Sequence, residues 1–262
     1  MSRSLVLCAD DFGLSEGINR AILALIRQGR LSATSCMTTM PAWHAEAATE
    51  LLALHGKAAL GLHFNLTEGD HATPLGQLMQ QSLSGRIDRQ HIQQALETQL
   101  DRFEQQLGHA PDFVDGHQHI QMFPVIRQIV LTTLARRYGH NCPWIRVSTP
   151  ALSGHDARFK ALILNMMGVG FERMRRRYAI AGTRDFAGMY SLQPEAGFGT
   201  MMTHWFNTLP DGGLIMCHPG YTDGRSPLAR AREEERNWLA SAACANALQQ
   251  HQRTLSKRPA LL

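Results

Sequence analysis

Strand-like, mostly apolar runs that end in a polar side chain recur from one end of the chain to the other. Each run is four or five residues long, which is the length of a buried strand. The residues that follow the runs can bind a metal ion or titrate. They are Asp10 and Asp11 after residues 5–9, His63 after residues 58–62, His117 after residues 112–116, and His218 after residues 214–217. This regularity predicts a site assembled where the strands end.

Helical patterns separate these strands. Ser15 is placed to cap a first helix and Gly29 to end it, with Ile18 and Ile22 on one apolar face. A polar stretch after Glu68, rich in glycine and proline, predicts a loop over the site. The other segments predict helices over about 42–54, 89–107, 124–138, 157–177 and 227–249, one more helix before residue 214, and strands over 33–39, 144–148 and 185–190.

Strands and helices alternate, with about seven strands in all, and this order is typical of a parallel sheet in an α/β protein. The site residues follow early, middle and late strands. This favours an irregular (β/α) barrel, because a barrel builds its site from the loops after many strands. A doubly wound open sheet is the alternative, but it gathers ligands at one switch point. Since no Pro- or Ser-rich linker and no repeat divides the sequence, residues 1–262 are predicted to form a single domain.

The composition excludes a disordered chain and favours a reducing compartment. Apolar residues make up 44% of the chain and charged residues 18%, as in ordinary globular proteins. The five cysteines are widely spaced and form no CxxC pair, which argues against a disulfide framework. The apolar run before Asp10 is too short for a signal peptide, and no stretch reaches the ~18 apolar residues of a spanning helix. The expected location is cytoplasmic.

The segment 160–177 combines apolar and basic side chains and ends in a basic cluster, Arg173–Arg177. One hypothesis is that it lies on a membrane or meets an anionic lipid or acidic partner. The other is that it forms a core-facing or dimer-forming helix with a solvated end. The second is preferred from the sequence, because Gly168 and Gly170 weaken the helix itself.

One carboxylate and two histidines at strand ends suit Zn²⁺, Mn²⁺, Co²⁺ or Mg²⁺ and leave positions for water and substrate. A bound ion can lower the pKa of its water from about 15.7 toward ~7 and polarise a carbonyl group. Hydrolysis then needs a base and an acid, each typically worth ~10²–10⁴-fold, and Asp10 and His218 are the candidates. Arg146 is predicted to orient Asp10 or a sugar hydroxyl, and His119 to lie beside the ligands or touch substrate.

Four motifs occur in order between residues 9 and 220. They are Ala9–Ser15 (ADDFGLS), Gly61–Thr67 (GLHFNLT), Asp115–His119 (DGHQH) followed by Pro124, and Met216–Gly220 (MCHPG). With these motifs the chain resembles the YdjC-like carbohydrate deacetylase family, which includes chitooligosaccharide and hopanoid-associated deacetylases. Four motifs in order are far more specific than any one of them.

The resemblance implies a barrel of the polysaccharide-deacetylase type. It also implies removal of an acetyl group from an N-acetylated sugar, as an oligosaccharide or a glycolipid headgroup. The site it implies has one divalent ion, Mg²⁺ or Zn²⁺, on Asp11, His63 and His117, with Asp10 as the base and His218 as the acid.

One departure from the family pattern concerns the substrate. Members that act on chitooligosaccharides tend to carry three consecutive histidines and another two residues on. This chain keeps the first and third positions as His117 and His119, but has Gln118 and Gln121 at the other two. The implied metal ligand His117 is retained, so the departure bears on which sugar is bound.

Two other functions remain open. A phosphoesterase would recruit further carboxylates for a second metal ion, and the sequence offers no suitable second cluster. A non-catalytic protein that binds a sugar or lipid headgroup through a metal would not need Asp10 and His218 together. The expected partner is a small N-acetylated saccharide and not a nucleic acid, with peripheral membrane contact if the substrate is a glycolipid. General frequencies of oligomers favour a homodimer.

Overall fold

The structure is a computed structural model that describes residues 2–193, 196–221, 224 and 228–262. Its strands are β1 (Arg3–Phe12), β2 (Ala33–Cys36), β3 (Ala59–Phe64), β4 (Phe113–Gly116), β5 (Trp144–Ile145), β6 (Phe186–Ala187), β7 (Gly213–Cys217) and β8 (Arg253–Leu255). Its helices are α1 (Glu16–Arg27), α2 (Ala45–Leu52), α3 (Leu75–Ser84), α4 (Arg89–Leu107), α5 (Ile126–Tyr138), α6 (Arg158–Met167), α7 (Phe171–Arg177), α8 (Phe198–Thr208), α9 (Ala229–Ala240) and α10 (Ala242–Gln250).

All strands of the sheet run parallel. Seven of them follow the order β5-β4-β3-β2-β1-β7-β6, and β8 pairs with the first residues of β1. A single bridge between Ile145 and Gly182 joins β5 to the chain just before β6, so the two ends of the sheet approach each other. The predicted irregular barrel of about seven parallel strands is therefore confirmed, and the open doubly wound sheet is not what forms.

Alternation along the strands separates two apolar cores. Side chains on the outer face of β1, such as Leu5 and Leu7, pack against the helices, and those on the inner face, Val6 and Cys8, belong to a second cluster inside the barrel. This inner cluster also contains Phe113 and Trp144, whose rings stack with centroids 4.3 Å apart. Since strand side chains alternate, the inner face of each strand leads to the site at its carboxyl end.

Local capping explains where several helices begin and end. The Ser15 side chain accepts a hydrogen bond from the backbone N–H of Ile18, as the sequence predicts for the start of α1. Asp88 caps α4 in the same way, and Gly108 ends that helix in the left-handed conformation. The bounds of α4 agree with the predicted helix over 89–107.

Several predicted elements were wrong in kind or extent. The stretch predicted as a loop after Glu68 contains α3, where Pro74 and Gly85 mark the two ends of the helix instead of a loop. The helix predicted over 157–177 is divided into α6 and α7, because Gly170 takes a positive φ of 84°. The last predicted helix is two, α9 and α10, and its expected first residue, Pro227, lies outside the described residues. Strands β5 and β6 are two residues long and β8 was not expected.

No helix among the described residues is both long and apolar enough to cross a membrane. The five cysteines are all free thiols, and four of them are buried. The cytoplasmic location, the single domain and the homodimer stay predictions.

Candidate active site

The candidate site lies inside the barrel at the carboxyl ends of the strands. Asp10 follows Val6 and Cys8 on the inner face of β1, and it is 1% exposed. Four other side chains continue the inner faces of their own strands in the same way. They are His63 on β3, Asp115 on β4, Arg146 after β5 and His218 after β7. Period-two alternation thus gathers residues from five strands in one layer.

Asp11 reaches the same layer by a local irregularity. The register between β1 and β2 shifts between Ala9 and Phe12, and Asp11 has a φ of 72°. A positive φ is unfavourable for a residue with a side chain. The bulge turns the Asp11 carboxylate toward His63 and His117, whereas an undistorted strand would direct it to the opposite face from Asp10.

Three ligand atoms face one point in this layer. Asp11 Oδ1 lies 3.3 Å from His63 Nε2 and 3.1 Å from His117 Nδ1, and the two nitrogens are 3.3 Å apart. Separations of roughly 3 Å are those of neighbouring ligands on an ion bound at about 2.0–2.2 Å. The geometry therefore fits a divalent ion held on one side by the three predicted ligands, with its other side open.

Further carboxylates hold the two imidazoles. His63 Nδ1 lies 2.6 Å from Asp115 Oδ1, so the ring donates there and keeps the lone pair of Nε2 for the ion. On His117 it is Nδ1 that faces the point where the ion would lie, and Nε2 lies 3.6 Å from Glu68 Oε1. A carboxylate behind each ligating histidine is a usual feature of metal sites. Neither Asp115 nor Glu68 has a role predicted from the sequence.

The electrostatics of the layer favour positive charge between the histidines. Burial lowers the pKa of His63, but the charges and hydrogen bonds of the surrounding carboxylates, Asp115 first among them, together raise it by more, to about 10. Burial raises the pKa of Asp11, while Arg232 and His117 lower it, and the net pKa lies well below its usual range. Asp11 is therefore ionised, as a carboxylate that binds a metal ion must be. A divalent cation at His63 Nε2 would take the place that this field otherwise gives to a proton.

Arg232, from α9, holds the second oxygen of Asp11. Its Nη2 lies 2.5 Å from Asp11 Oδ2, and its Nη1 donates to the carbonyl oxygen of His218 at 3.4 Å. The ion pair occupies Oδ2 and leaves Oδ1 directed at the histidines. Arg232 therefore joins the metal-binding side of the layer to the His218 side.

Asp10 is separate from the ligand set. Arg146 donates to both of its carboxylate oxygens, each at 2.7 Å, and its Nη2 also lies 2.6 Å from Asp115 Oδ2. All three side chains are buried. Burial raises the pKa of Asp10, but Arg146 and the nearby histidines together lower it by more, so the pKa falls below its usual range. The structure thus places the predicted arginine on Asp10, and Asp115 connects that ion pair to His63.

His218 lies across the layer, against buried groups of its own. Its backbone N–H donates to Glu235 Oε2, and its Nδ1 lies 3.8 Å from Glu235 Oε1. The Tyr190 hydroxyl donates to the same oxygen at 2.6 Å. Glu235 is fully buried. The backbone contact holds His218 next to a buried carboxylate, and the His218 side chain lines the cavity.

A cavity of about 1120 Å³ covers the layer, and Asp10, Asp11, His63, His117 and His218 all line it. Most of its remaining lining is apolar. From helices α3 and α6 it includes Leu75, Met79, Ile163, Leu164 and Met167. A cavity of this size accommodates a ligand larger than one sugar ring.

The turn after β4 departs from the extended conformation expected for His119. Gln118 and His119 have φ values of 54° and 60°, so strand alternation does not extend past His117. His119 lines the cavity, packs edge-on against Phe186, and has its pKa lowered to about 3, mainly by burial. It is a neutral group in the lining of the cavity, and its contact with substrate stays a prediction.

The two glutamines of the departing motif have different positions. Gln118 is exposed and lines the cavity. Gln121 is fully buried and donates to the carbonyl oxygen of Arg146 at 3.2 Å and to Ser148 Oγ at 3.3 Å. Gln118 therefore borders the cavity, whereas Gln121 supports the backbone that carries Arg146.

The fold and the ligand geometry define an α/β barrel protein with a candidate metal centre at the carboxyl ends of its strands. A family model described as YdjC-like protein matches residues 4–250. The chain therefore belongs to the YdjC-like family, as the four motifs predict.

Curated relatives match part of the chain. The chitooligosaccharide deacetylase of Yersinia pestis bv. Antiqua (strain Angola) is 35% identical over 141 residues, which is 50% of this chain and 55% of the relative. That of Yersinia pseudotuberculosis serotype O:3 (strain YPIII) is 34% identical over the same length. The chain thus spans about half the length of the curated relatives it matches.

Solved structures match the whole barrel. A candidate cellobiose-phosphate cleavage protein from Enterococcus faecalis V583 has a TM-score of 0.73 at 18% identity, covering 98% of this chain and 97% of that one. The chitin deacetylase of the fungus Colletotrichum lindemuthianum has a TM-score of 0.52 at 9% identity, covering 97% and 86%. At these identities the likeness concerns the fold, and it confirms the polysaccharide-deacetylase type of barrel.

Proposed function

We propose that this protein is a metal-dependent hydrolase that removes the acetyl group from an N-acetylated sugar. The observation that carries the proposal is that Asp11, His63 and His117 converge on one point, while Asp10 and His218 line the same cavity without joining them. A binding protein needs the first set alone, whereas hydrolysis of an amide needs both. The names of the curated relatives support the substrate class.

The donor set favours Zn²⁺ or a similar ion over Mg²⁺. Two imidazole nitrogens and one carboxylate oxygen suit ions that bind imidazole, whereas Mg²⁺ prefers oxygen ligands. When bound to Asp11, His63 and His117, such an ion would polarise the acetyl carbonyl group and acidify a water molecule.

Asp10 is proposed as the base, through Oδ2. Its Oδ1 is near three donors, at 2.7 Å from Arg146 Nη2, 3.2 Å from Ser35 Oγ and 3.7 Å from Cys8 Sγ. Among the described contacts, Oδ2 has Arg146 Nη1, so one lone pair of Oδ2 remains for a proton. Arg146 keeps the carboxylate ionised and fixes its plane. Because it also weakens the base, Asp10 is suited to a proton from an acidic donor.

His218 is proposed as the acid that protonates the departing amine. Glu235 lies beside Nδ1 and offsets positive charge on the ring, while the Glu235 contact with the His218 backbone fixes where the ring sits. The imidazole can then present its other nitrogen to the cavity. Base and acid come from β1 and β7, which are neighbours in the sheet.

A two-metal phosphoesterase is disfavoured by the second cluster of potential ligands. Among the described residues this cluster consists of Cys8, Asp10 and Asp115. Arg146 contacts all three side chains at 2.6–3.1 Å. A guanidinium in that position repels a second cation, and it already neutralises the carboxylates.

The proposal is tested by release of acetate from N,N′-diacetylchitobiose and longer N-acetylated chitooligosaccharides. Protein treated with a chelator to remove its metal is expected to be inactive and to regain acetate release when Zn²⁺ is added. The His63→Ala variant should lose both metal binding and acetate release, whereas His91→Ala, at an exposed position of α4, should retain both. Saturable sugar binding without acetate release would support a binding protein instead. Release of phosphate from sugar phosphates, but not of acetate, would support a phosphoesterase.

A further inference from the structure

The outward face of α6 is apolar although it lies at the surface. Phe159, Leu162 and Met166 are 75%, 45% and 67% exposed, and Val169, just beyond the helix, is 72% exposed. The spacing of three and four residues places the first three in one stripe. Among the described residues, these four are half of the eight large apolar side chains that are exposed.

The inner face of the same helix is apolar as well. Ile163, Leu164 and Met167 line the cavity above the candidate metal centre. A helix that is apolar on two faces is expected to be covered on both. One face of α6 has the cavity, but the other faces solvent, so it has the character of an interaction surface.

Positive charge is concentrated in the segment of the chain that contains this face. Residues 158–177 contain six basic residues and one acidic residue, whereas the rest of the chain contains 20 basic and 21 acidic residues. Arg158, Lys160, Arg173 and Arg177 are exposed. The acidic residue, Glu172, is already paired with Arg175 and Arg176. The excess charge of the protein therefore lies in the same segment of the chain as its exposed apolar stripe.

We propose that the exposed face of α6, with the basic residues of 158–177, docks on the surface of an anionic lipid membrane. Apolar side chains flanked by arginine and lysine are the chemistry that binds headgroups and the adjoining acyl region. A second copy of the chain fits less well, because a symmetric contact would bring two strongly basic segments together. The proposal concerns binding alone and does not depend on the proposed hydrolysis.

Flotation with vesicles tests the docking. The full chain should bind vesicles of phosphatidylglycerol and phosphatidylcholine at low salt, and bind phosphatidylcholine vesicles much more weakly. The double variant Arg173→Gln, Arg177→Gln should lose about fivefold in affinity for each arginine removed. A control with the same change of charge is Arg102→Gln, Arg258→Gln, at exposed positions elsewhere, and it should bind within about twofold of the unchanged protein.

The apolar contribution has a matched control of its own. Leu162→Ser should weaken vesicle binding at least fivefold. A loss of this order is expected when the membrane no longer buries one or more methylene groups of the side chain. Leu52→Ser removes a leucine of similar exposure, 38% against 45%, from α2, and should leave binding unchanged. Thermal unfolding checks that each variant is folded. The proposal is wrong if anionic vesicles are not bound, if the variants and their controls bind equally, or if Leu162→Ser instead dissociates a dimer in light scattering.

Discussion

The polar floor of the cavity and its apolar wall place different demands on their side chains. At the floor, Asp10 pairs with Arg146, which also contacts Asp115, and these three buried side chains share three ion-pair contacts. On the wall, Met79 and Met167 make non-directional contacts, and methionine adapts readily to gaps. Stability and metal affinity should therefore be sensitive to the loss of a single polar atom on the floor. On the wall, a substitution should act mainly through the side-chain volume that it removes.

In the proposed function, the floor is itself divided into a part that would hold the ion and a part that would move protons. His63, His117 and Asp11 belong to the first part, and His218 to the second. Arg146 and Arg232 lie between them and neutralise carboxylates on both sides. Substitutions in the two parts should separate metal binding from turnover, and this separation is the sharpest feature to test.

The largest expected effect that leaves the ion bound comes from His218→Gln. Without the imidazole acid, turnover should fall by roughly 10²–10⁴-fold, while Zn²⁺ affinity stays near that of the unchanged protein. Steady-state acetate release and isothermal titration with Zn²⁺ measure the two quantities. His91→Gln, on the surface, is the control. A variant that loses the metal together with turnover would place His218 in the ligand set.

Arg146→Gln should destabilise the protein by about 3–5 kcal/mol, because it leaves two buried carboxylates without their partner. Chemical denaturation measures this against Arg102→Gln, at an exposed position. The pKa of Asp10 in the fold lies below its ordinary value of 3.8. The ion pair therefore stabilises the unchanged protein above that pH, and the contribution is lost as the pH falls toward the folded-state pKa. A variant with the same acid sensitivity and stability as the unchanged protein would contradict this account.

Asp115→Asn should weaken Zn²⁺ binding by about 10–100-fold. The amide keeps the shape of the side chain but no longer places a negative charge behind His63 Nδ1. Competition with a chromogenic chelator measures the change, and Asp70→Asn, at an exposed position, serves for comparison. Equal affinities in the two variants would show that Asp115 does not act through His63.

The smallest effect on the site is expected on the wall. Met167→Ala removes a side chain that is 4% exposed and borders the cavity, so stability should fall by about 2 kcal/mol, at the low end for a buried methionine. Zn²⁺ affinity should change by less than about twofold, since no floor contact involves this residue. A large loss of metal affinity would remove the distinction between wall and floor.

The sequence predicted those parts of the structure that depend on local pattern. Alternating strands and helices, the bounds of α4, and His63, His117 and His218 at strand ends all follow from short segments. It failed for α3, where Pro74 and Gly85 were interpreted as loop residues although they bound a helix. The two-residue strands β5 and β6 are also defined by their neighbours in the barrel and not by their own composition.

The missed site residues act over long range. Asp115 could have been found, because it precedes His117 by two residues on the same strand face. Arg232 and Glu235 lie in the charged sequence of α9, where neighbouring arginines and glutamates look equivalent. Only the position of α9 in the fold, beside the carboxyl ends of β1 and β7, brings these two to Asp11 and His218.

Anomalous diffraction from crystals grown with Zn²⁺ tests the central claim most directly. The account predicts one peak at about 2.0–2.2 Å from Asp11 Oδ1, His63 Nε2 and His117 Nδ1, with Asp10 outside the ligand set and still paired with Arg146. A peak coordinated by Cys8, Asp10 and Asp115, or a metal shared between Asp10 and Asp11, would contradict it.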